Sequence, residues 1–484
     1  MSRPTPSTPS TPFSPPTPGE AGGRGTSSGA EPVGRGVILL LLLLVCFPSL
    51  AASAAPTPPP GPPRDDCVLR IASGADVSGG ARERALEAVW NGIEGRPRAC
   101  FVAISSVADE QRSAMISAAQ AKAGHYDVYN LDIQWIPEFA EEGYLRPIDA
   151  AAHDGTNDFL SRIWSAGAWE GVQYAVPFNT DVGLLYYRDD LRTPANWQDM
   201  TGLAKARRAG PDPTALGLAG QFASYEGLTV NALEAIWANG GNVVDADGHV
   251  VITQKEGVEA VGRLIETVRA GVISGETLGS TEAESLTAFR ERHALFLRHW
   301  PYAHEVLSGE RKSGGVAFRA APLPWQGVLG GQYLAVSRHT ARRDVAQRLV
   351  AALTGGEAAR LLYHCGGFAP ARVSALYTRA RTGCDGPGPA ATPPEPASTS
   401  GSGSAPSPTA EPESESVRPE TLLRALTQAR ARPPSPYYNE FSRVFRTEVH
   451  ELLGCWSLGR KGCEDAKKFT AGLAPKLRKA LAGG

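Results

Sequence analysis

Two carboxylates, two aromatic rings and two histidines carry most of the chemistry this chain could do. Asp132 directly follows "YDVYNL", Asp181 lies within "PFNTDVGLLYY", and Trp300 and Tyr302 flank a proline in "FLRHWPYAH". A pair of carboxylates can divide the acid and base roles of glycoside hydrolysis, or can simply accept hydrogen bonds from hydroxyl groups. The aromatic segment joins apolar faces to polar tips, which suits a packed core or a surface that holds a small molecule. His299 and His304 do not share a helical face and make a poor pair of metal ligands. No Ser/His/Asp order, zinc-type spacing or phosphate-cradling glycine loop is present. "DADG" at 245–248 lacks the further ligands of a calcium loop and reads as a hairpin turn between β-branched runs.

Each of these residues also has a structural reading. Asp132 stands just before a helical stretch and can cap it. Arg112, on a helix face, can be a solvated charge, and Trp300 and Tyr302, following "ALFL", can be core. Asp181 is different, because Asp is depleted in strands and its presence inside one calls for a partner.

Alternating elements must position these groups. "VLRIAS", "CFVAISS" and "YDVYNLD" read as strands, separated by the helical patterns "ARERALEAVWNGIE" and "DEQRSAMISAAQAKAG". Repeated βα units predict a mostly parallel, layered α/β sheet with ligands beyond the carboxyl ends of its strands, and Asp132 occupies such an end. A strand-rich passage covers 172–191, and helices are expected near 197–208, 226–239, 255–270, 284–292 and 343–353. "GVAFRAAPLP" and "GGQYLAVS" read as strands, and three helical segments follow near 418–430, 439–453 and 464–481. At 484 residues the chain is too long for one compact core, which points to two lobes.

Residues 37–45, "VILLLLLLV", followed by Ala52-Ser53-Ala54, have the form of an export signal cleaved after Ala54. The run is short of the roughly 20 residues that span a bilayer. Residues 1–54 therefore read as an N-terminal extension and leader, with an alternative start near Val33, and the Pro-rich 55–66 as a stiff linker. Cys46 follows Leu43 with bulky residues between, so lipidation there is the competing reading. A net charge of -2 without a dominant basic block argues against nucleic acid as a partner. Six of the seven cysteines lie beyond the leader, at Cys67, Cys100, Cys365, Cys384, Cys455 and Cys463. Disulfides in an oxidising compartment are expected; fifteen pairings are possible, and neighbours in sequence make 67–100, 365–384 and 455–463 the economical set. Residues 386–416 are almost entirely Gly, Pro, Ser, Thr, Ala and Glu, the composition of a disordered insertion.

The colinear series "NLDIQW", "PFNTDVGLLYY", "RHWPYAH" and "LGGQYL", supported by "EFAEEGYLRPID", "YEGLTVNALEAIWANGG", "GGFAPAR" and "RPPSPYY", resembles the extracellular solute-binding proteins of bacterial ABC importers, in particular the trehalose/maltose-binding-like sugar binders. The resemblance implies an α/β, two-lobed, type II periplasmic-binding-protein-like fold whose lobes are joined by hinge strands. It implies an N-lobe of 67–182 plus 316–363 and a C-lobe of 183–315 plus 364–484, with 386–416 inserted in the latter. The implied function is capture of a sugar in the interlobe cleft for a membrane permease, by a secreted or lipid-anchored monomer that is not an enzyme and needs no cofactor or metal. A secreted glycoside hydrolase using Asp132 and Asp181, and an extracellular sugar sensor, are the rival functions.

Matched residue by residue, the resemblance implies that Trp300 and Tyr302 pack on or beside the sugar and that Asp132 and Asp181 accept from its hydroxyls. Arg112 and Arg432 would donate, and Gly331 would let backbone approach closely. Gln332 and Asn179 stand where the sugar binders carry aromatics, which implies less stacking and a different or smaller sugar. Asp76 is a candidate for the acidic residue of the first loop.

Overall fold

A computed structural model describes residues 66–484 apart from 150–152, 154–155, 292, 312–313, 379–380, 382 and 385–416. The leader, Cys46, nearly all of the Pro-rich linker and the 386–416 insertion lie outside the described residues. Among the described residues no helix is long and apolar enough to cross a membrane.

Two sheets organise the chain. The first contains β1 (Leu69–Ser73), β2 (Ala99–Ala103), β3 (Val128–Asp132), β6 (Ala175–Val182) and β11 (Leu329–Val336) in the order β2-β1-β3-β11-β6. β1 runs parallel to β2 and β3, as the βα repeats require, and β11 runs antiparallel to β3 and β6. β4 (Ala168–Trp169) and β5 (Val172–Gln173) form a small separate hairpin. The second sheet contains β7 (Leu184–Arg188), β8 (Leu216–Ala219), β9 (Ala294–His299) and β10 (Phe318–Pro322) in the order β10-β7-β9-β8.

Period-two alternation decides what each sheet face meets. Along β7, Leu184 and Tyr186 join the core shared with the first sheet, whereas Leu185 and Tyr187 join a second core. The helices α1 (Ala108–Gln120), α2 (Glu226–Ala238), α3 (Lys255–Arg269), α4 (Glu282–Arg290), α5 (Gly356–Gly366), α6 (Pro419–Gln428), α7 (Tyr438–Ser457) and α8 (Ala466–Leu481) cover these faces. α2, α3, α7 and α8 bury Leu233, Leu264, Phe445 and Leu473 in the second core; α5 and α6 bury Leu362 and Leu422 in the first. Pro177 sits in β6, at the edge of its sheet, where a bulge between Gln332 and Tyr333 accommodates the missing N–H.

The chain passes from β6 to β7 through Gly183, where a Cβ would lie 2.7 Å from Glu234 Oε1 and 2.9 Å from Arg298 Nη2. It returns between Pro322 and Leu329, and a third passage runs beside the second, with Leu329 N donating to Arg430 O at 2.8 Å and Arg430 N to Gly327 O at 2.8 Å. The strand pairing draws two boundaries differently from the sequence reading. Residues 318–322, expected in the N-lobe, form β10 and pair with β7 in the second sheet. Residues beyond 364, expected in the C-lobe, stay with the first sheet for some distance: Thr180 N donates to Ala369 O at 2.9 Å, and α6 buries Leu422 and Leu426 in the first core.

The disulfides join Cys67 to Cys100, Cys365 to Cys384 and Cys455 to Cys463. The 244–250 hairpin reduces to a single bridge, Val244 with Val250, around a turn in which Gly248 adopts φ 83°.

Candidate ligand-binding cleft

The carboxyl ends of β3, β6 and β9 and the start of β11 converge between the sheets. Register fixes their side chains: Asp132 pairs with Gln332, Gln332 with Asn179, and Asp181 with Gly330. Across the gap β9 ends at His299 and hands over to half-buried Trp300. A Cβ on Gly330 would stand 3.3 Å from Asp181 Cβ and 3.5 Å from Trp300 Cζ3, so this buried glycine lies directly against both side chains where the two sheets meet.

Asp132 takes the capping role considered for it and adds an ion pair. Its Oδ1 accepts from Gln134 N at 2.9 Å, capping the short turn Ile133–Trp135, and from Arg432 Nη2 at 2.9 Å. Asp181 is less satisfied. Oδ2 accepts from Asn179 Nδ2 at 3.0 Å, while Oδ1 is buried without a partner among the described residues. Burial, reinforced by Asp132 and opposed by Arg298 and the Asn179 hydrogen bond, pushes this carboxyl up to about 8, so it is mostly protonated at neutral pH.

Trp300 is held by residues that sequence reasoning passed over. The Arg298 guanidinium lies 3.9 Å from the indole centroid, and Trp300 Nε1 donates to Glu282 Oε1 at 3.4 Å. Arg298 is itself fixed by a bidentate pair with Glu234, Nε to Oε2 and Nη2 to Oε1 both at 2.7 Å, and by Nη1 to Gln221 Oε1 at 3.1 Å. Glu234 Oε1 also accepts from Val328 N at 2.8 Å, so one buried carboxylate holds the indole's support and the β10–β11 passage together. His299 is buried and held down to about 4 by burial; its Nδ1 accepts from Trp300 N at 2.9 Å, which leaves Nε2–H facing Glu282 O at 3.2 Å. Tyr302 stacks on Phe368 at 6.0 Å and meets His299 edge-on at 5.1 Å; burial, then Glu282 and Asp181, keep its hydroxyl neutral.

Several expected donors are already engaged. Arg112 is paired bidentately with Glu138, its Nε 2.7 Å from Oε2, instead of being free for a ligand. Arg432, 2% exposed, joins Glu226 through Nη1 at 2.7 Å and Asp132 through Nη2 at 2.9 Å. Arg446 reaches Asp109 of α1 at 2.8 Å, adding another link between helices that flank different sheets. Gln332 Oε1 accepts from Asn130 at 3.3 Å. Gly331 has a role different from the one expected: at φ 138°, its Cβ would lie 2.7 Å from Asn179 O and 2.9 Å from Thr180 Cα, so it is needed by the β6 pairing, and Gly330 is the glycine that faces the gap. Asp76 accepts from Gly80 N and pairs with Arg82 at 3.1 Å, shaping the entry to the short helix Ala81–Leu86.

A family model described as bacterial extracellular solute-binding protein matches residues 101–360, more than half of the chain. The chain belongs to this family. Its members are binding proteins, which removes the glycoside hydrolase reading, and Asp132 is accordingly spent on a cap and an ion pair. A probable ABC transporter-binding protein of Deinococcus radiodurans is 30% identical over 257 residues, 49% of this chain and 60% of that protein. The chain thus spans about 60% of the length of that curated relative. Among solved structures, maltose-bound MalE3 of T. maritima superposes with a TM-score of 0.70 at 22% identity, covering 85% of this chain and 99% of that one. The GacH receptor of Streptomyces glaucescens, studied unliganded and with acarbose, gives 0.68 at 17% identity, covering 86% and 98%. These likenesses establish the two-lobed solute-binding fold.

Proposed function

We propose that the protein captures a sugar between its two lobes outside the cytoplasm and delivers it, as a monomer, to the membrane permease of an ABC importer. The observation that carries this reading is the junction of Gly330, Asp181 and Trp300. There a glycine without a side chain lets an indole on one sheet and a partly unpartnered carboxyl on the other come close together. A pyranose offers an apolar C–H face and a polar rim, and this junction offers both complements. Arg298 occupies one face of the indole, so stacking by the ligand would use the opposite face. Asp181, Gln332 and the Tyr302 hydroxyl supply hydrogen bonds, with Asp132 and Arg432 as a pair that orients the cleft wall. Arg112 contributes through Glu138, by holding the segment that follows β3. Attachment to the membrane surface would use Cys46 if the leader is processed there, and cleavage after Ala54 would release the chain.

A thermal-shift screen against mono-, di- and trisaccharides, with polyols and amino acids as controls, tests the reading. A saccharide that raises the melting temperature in proportion to the logarithm of its concentration supports it. Stabilisation by amino acids alone would overturn it.

A further inference from the structure

The cleft contains more carboxylates than it has cations to pair them with. Arg298 is committed to Glu234, Arg432 to Glu226 and Asp132, and Arg446 to Asp109. Asp181 and Glu282 stand on either side of Trp300, and among the described residues neither forms an ion pair. Glu282 is satisfied by neutral donors, Trp300 Nε1 at 3.4 Å and the Tyr225 hydroxyl at 2.6 Å. Asp181 has one such donor, Asn179, and a buried oxygen with none. An unmet buried acceptor is expensive, and in a binding protein the ligand can be what satisfies it.

We propose that the solute carries a protonated amine, and that Asp181, with Trp300 close to it across Gly330, is its counter-ion. This rests on the sugar-capture reading and narrows it to amino-bearing sugars. A hydroxyl could meet Oδ1 with one neutral hydrogen bond. An ammonium would meet it with a charge-assisted bond, and its attraction for the indole would add to that. The groups facing the Asp181 carboxyl are Asp132, Asn179, Arg298 and the hydroxyls of Tyr186 and Tyr302. None of these brings a free cation, because the Arg298 guanidinium is held bidentately by Glu234.

The proposal has a proton signature. In the empty cleft the Asp181 carboxyl carries its proton at pH 6.5. When an ammonium docks, the O–H proton leaves to buffer, the carboxylate forms, and charge balances across the new pair. A neutral sugar displaces no proton.

Isothermal titration of the full chain at pH 6.5, in two buffers of different ionisation enthalpy, compares glucose with glucosamine, galactose with galactosamine, and cellobiose with fully deacetylated chitobiose. The expected result is that the amine member of a pair binds about tenfold more tightly, the margin left when the roughly thirtyfold cost of ionising Asp181 at pH 6.5 is set against the gain of a buried charge pair. It is also expected to release close to one proton per site, and Asp181→Asn should bring its affinity down to that of the neutral partner. Equal or tighter binding of the neutral member overturns the amine proposal and leaves sugar capture standing. If no saccharide on the broader panel binds, sugar capture and this proposal fall together. The comparison of amine with neutral members on the wild-type chain decides the matter even if the Asn variant folds poorly.

Discussion

Replacing Glu234 by Gln tests whether the Arg298 support is as central as the geometry makes it. The two side chains are 2% and 3% exposed and meet through two contacts of 2.7 Å, so the substitution strands a guanidinium in the interior. Breaking a buried pair by removing one partner costs about 3–5 kcal/mol, because the remaining charge loses its compensation. Spread over the unfolding entropy of a chain this size, about 2.1 cal/mol/K per residue, that is a fall of about 3–5 °C in melting temperature. The Glu234→Gln, Arg298→Met double variant should recover much of the loss, since no unpaired charge remains and the methionine keeps most of the packing volume. Differential scanning calorimetry of the four proteins closes the cycle. A Glu234→Gln protein that melts with the wild type, or a double variant that loses the sum of the two single effects, would refute the assignment of a coupled buried pair.

Three further outcomes follow. His299 and His304 are each lowered from 6.5 to about 4 by burial, so the unfolded chain takes up their protons first and stability should fall as pH drops from about 6.5 towards 4. Asp181 is raised from 3.8 to about 8, so its contribution is lost as pH rises through that value; a melting profile with its maximum near pH 6.5, whose alkaline decline is weakened in Asp181→Asn, checks both signs, and a wild-type profile still rising at pH 8 would contradict them. Gly331→Ala should destabilise by about 1–3 kcal/mol through its positive φ and its clash with β6, whereas Gly330→Ala should melt nearly normally and bind poorly; the reverse pattern in paired melting and titration experiments would exchange the roles of the two glycines.

Much of the fold was legible because its periodicities are clean. β1, β2 and β3 fall where alternating βα patterns placed them, and the helices Arg343–Leu353 and Ala466–Leu481 nearly coincide with their apolar stripes. The boundary error at 318–322 has a physical origin: a short strand gives no sign of which sheet it will join, and β10 found its partner in β7, well over a hundred residues earlier. At the site, Asp181 stood out because Asp is depleted in strands and calls for a partner there; in the fold one of its oxygens has Asn179 and the other has none among the described residues. The same argument, applied to Arg298 at the end of an apolar strand and to Glu234 inside an apolar helix, would have found the ion pair behind Trp300. Arg112 could not be read this way, since its partner Glu138 lies 26 residues away and only the folded chain brings them together. Gly331 was expected to allow close backbone approach, and the backbone it admits is that of β6; the glycine beside Asp181 and Trp300 is its neighbour Gly330, which strand alternation turns to the other face.

The central claim is that a solute is gripped between the sheets against Trp300. Calorimetric titration of the best saccharide from the screen into wild-type and Trp300→Ala protein, with melting curves as a control on folding, tests it most directly. The account predicts a loss of about a hundredfold in affinity, in keeping with an aromatic anchor at the centre of a site, with the fold retained. A folded Trp300→Ala protein that binds the same saccharide as tightly as the wild type would contradict it.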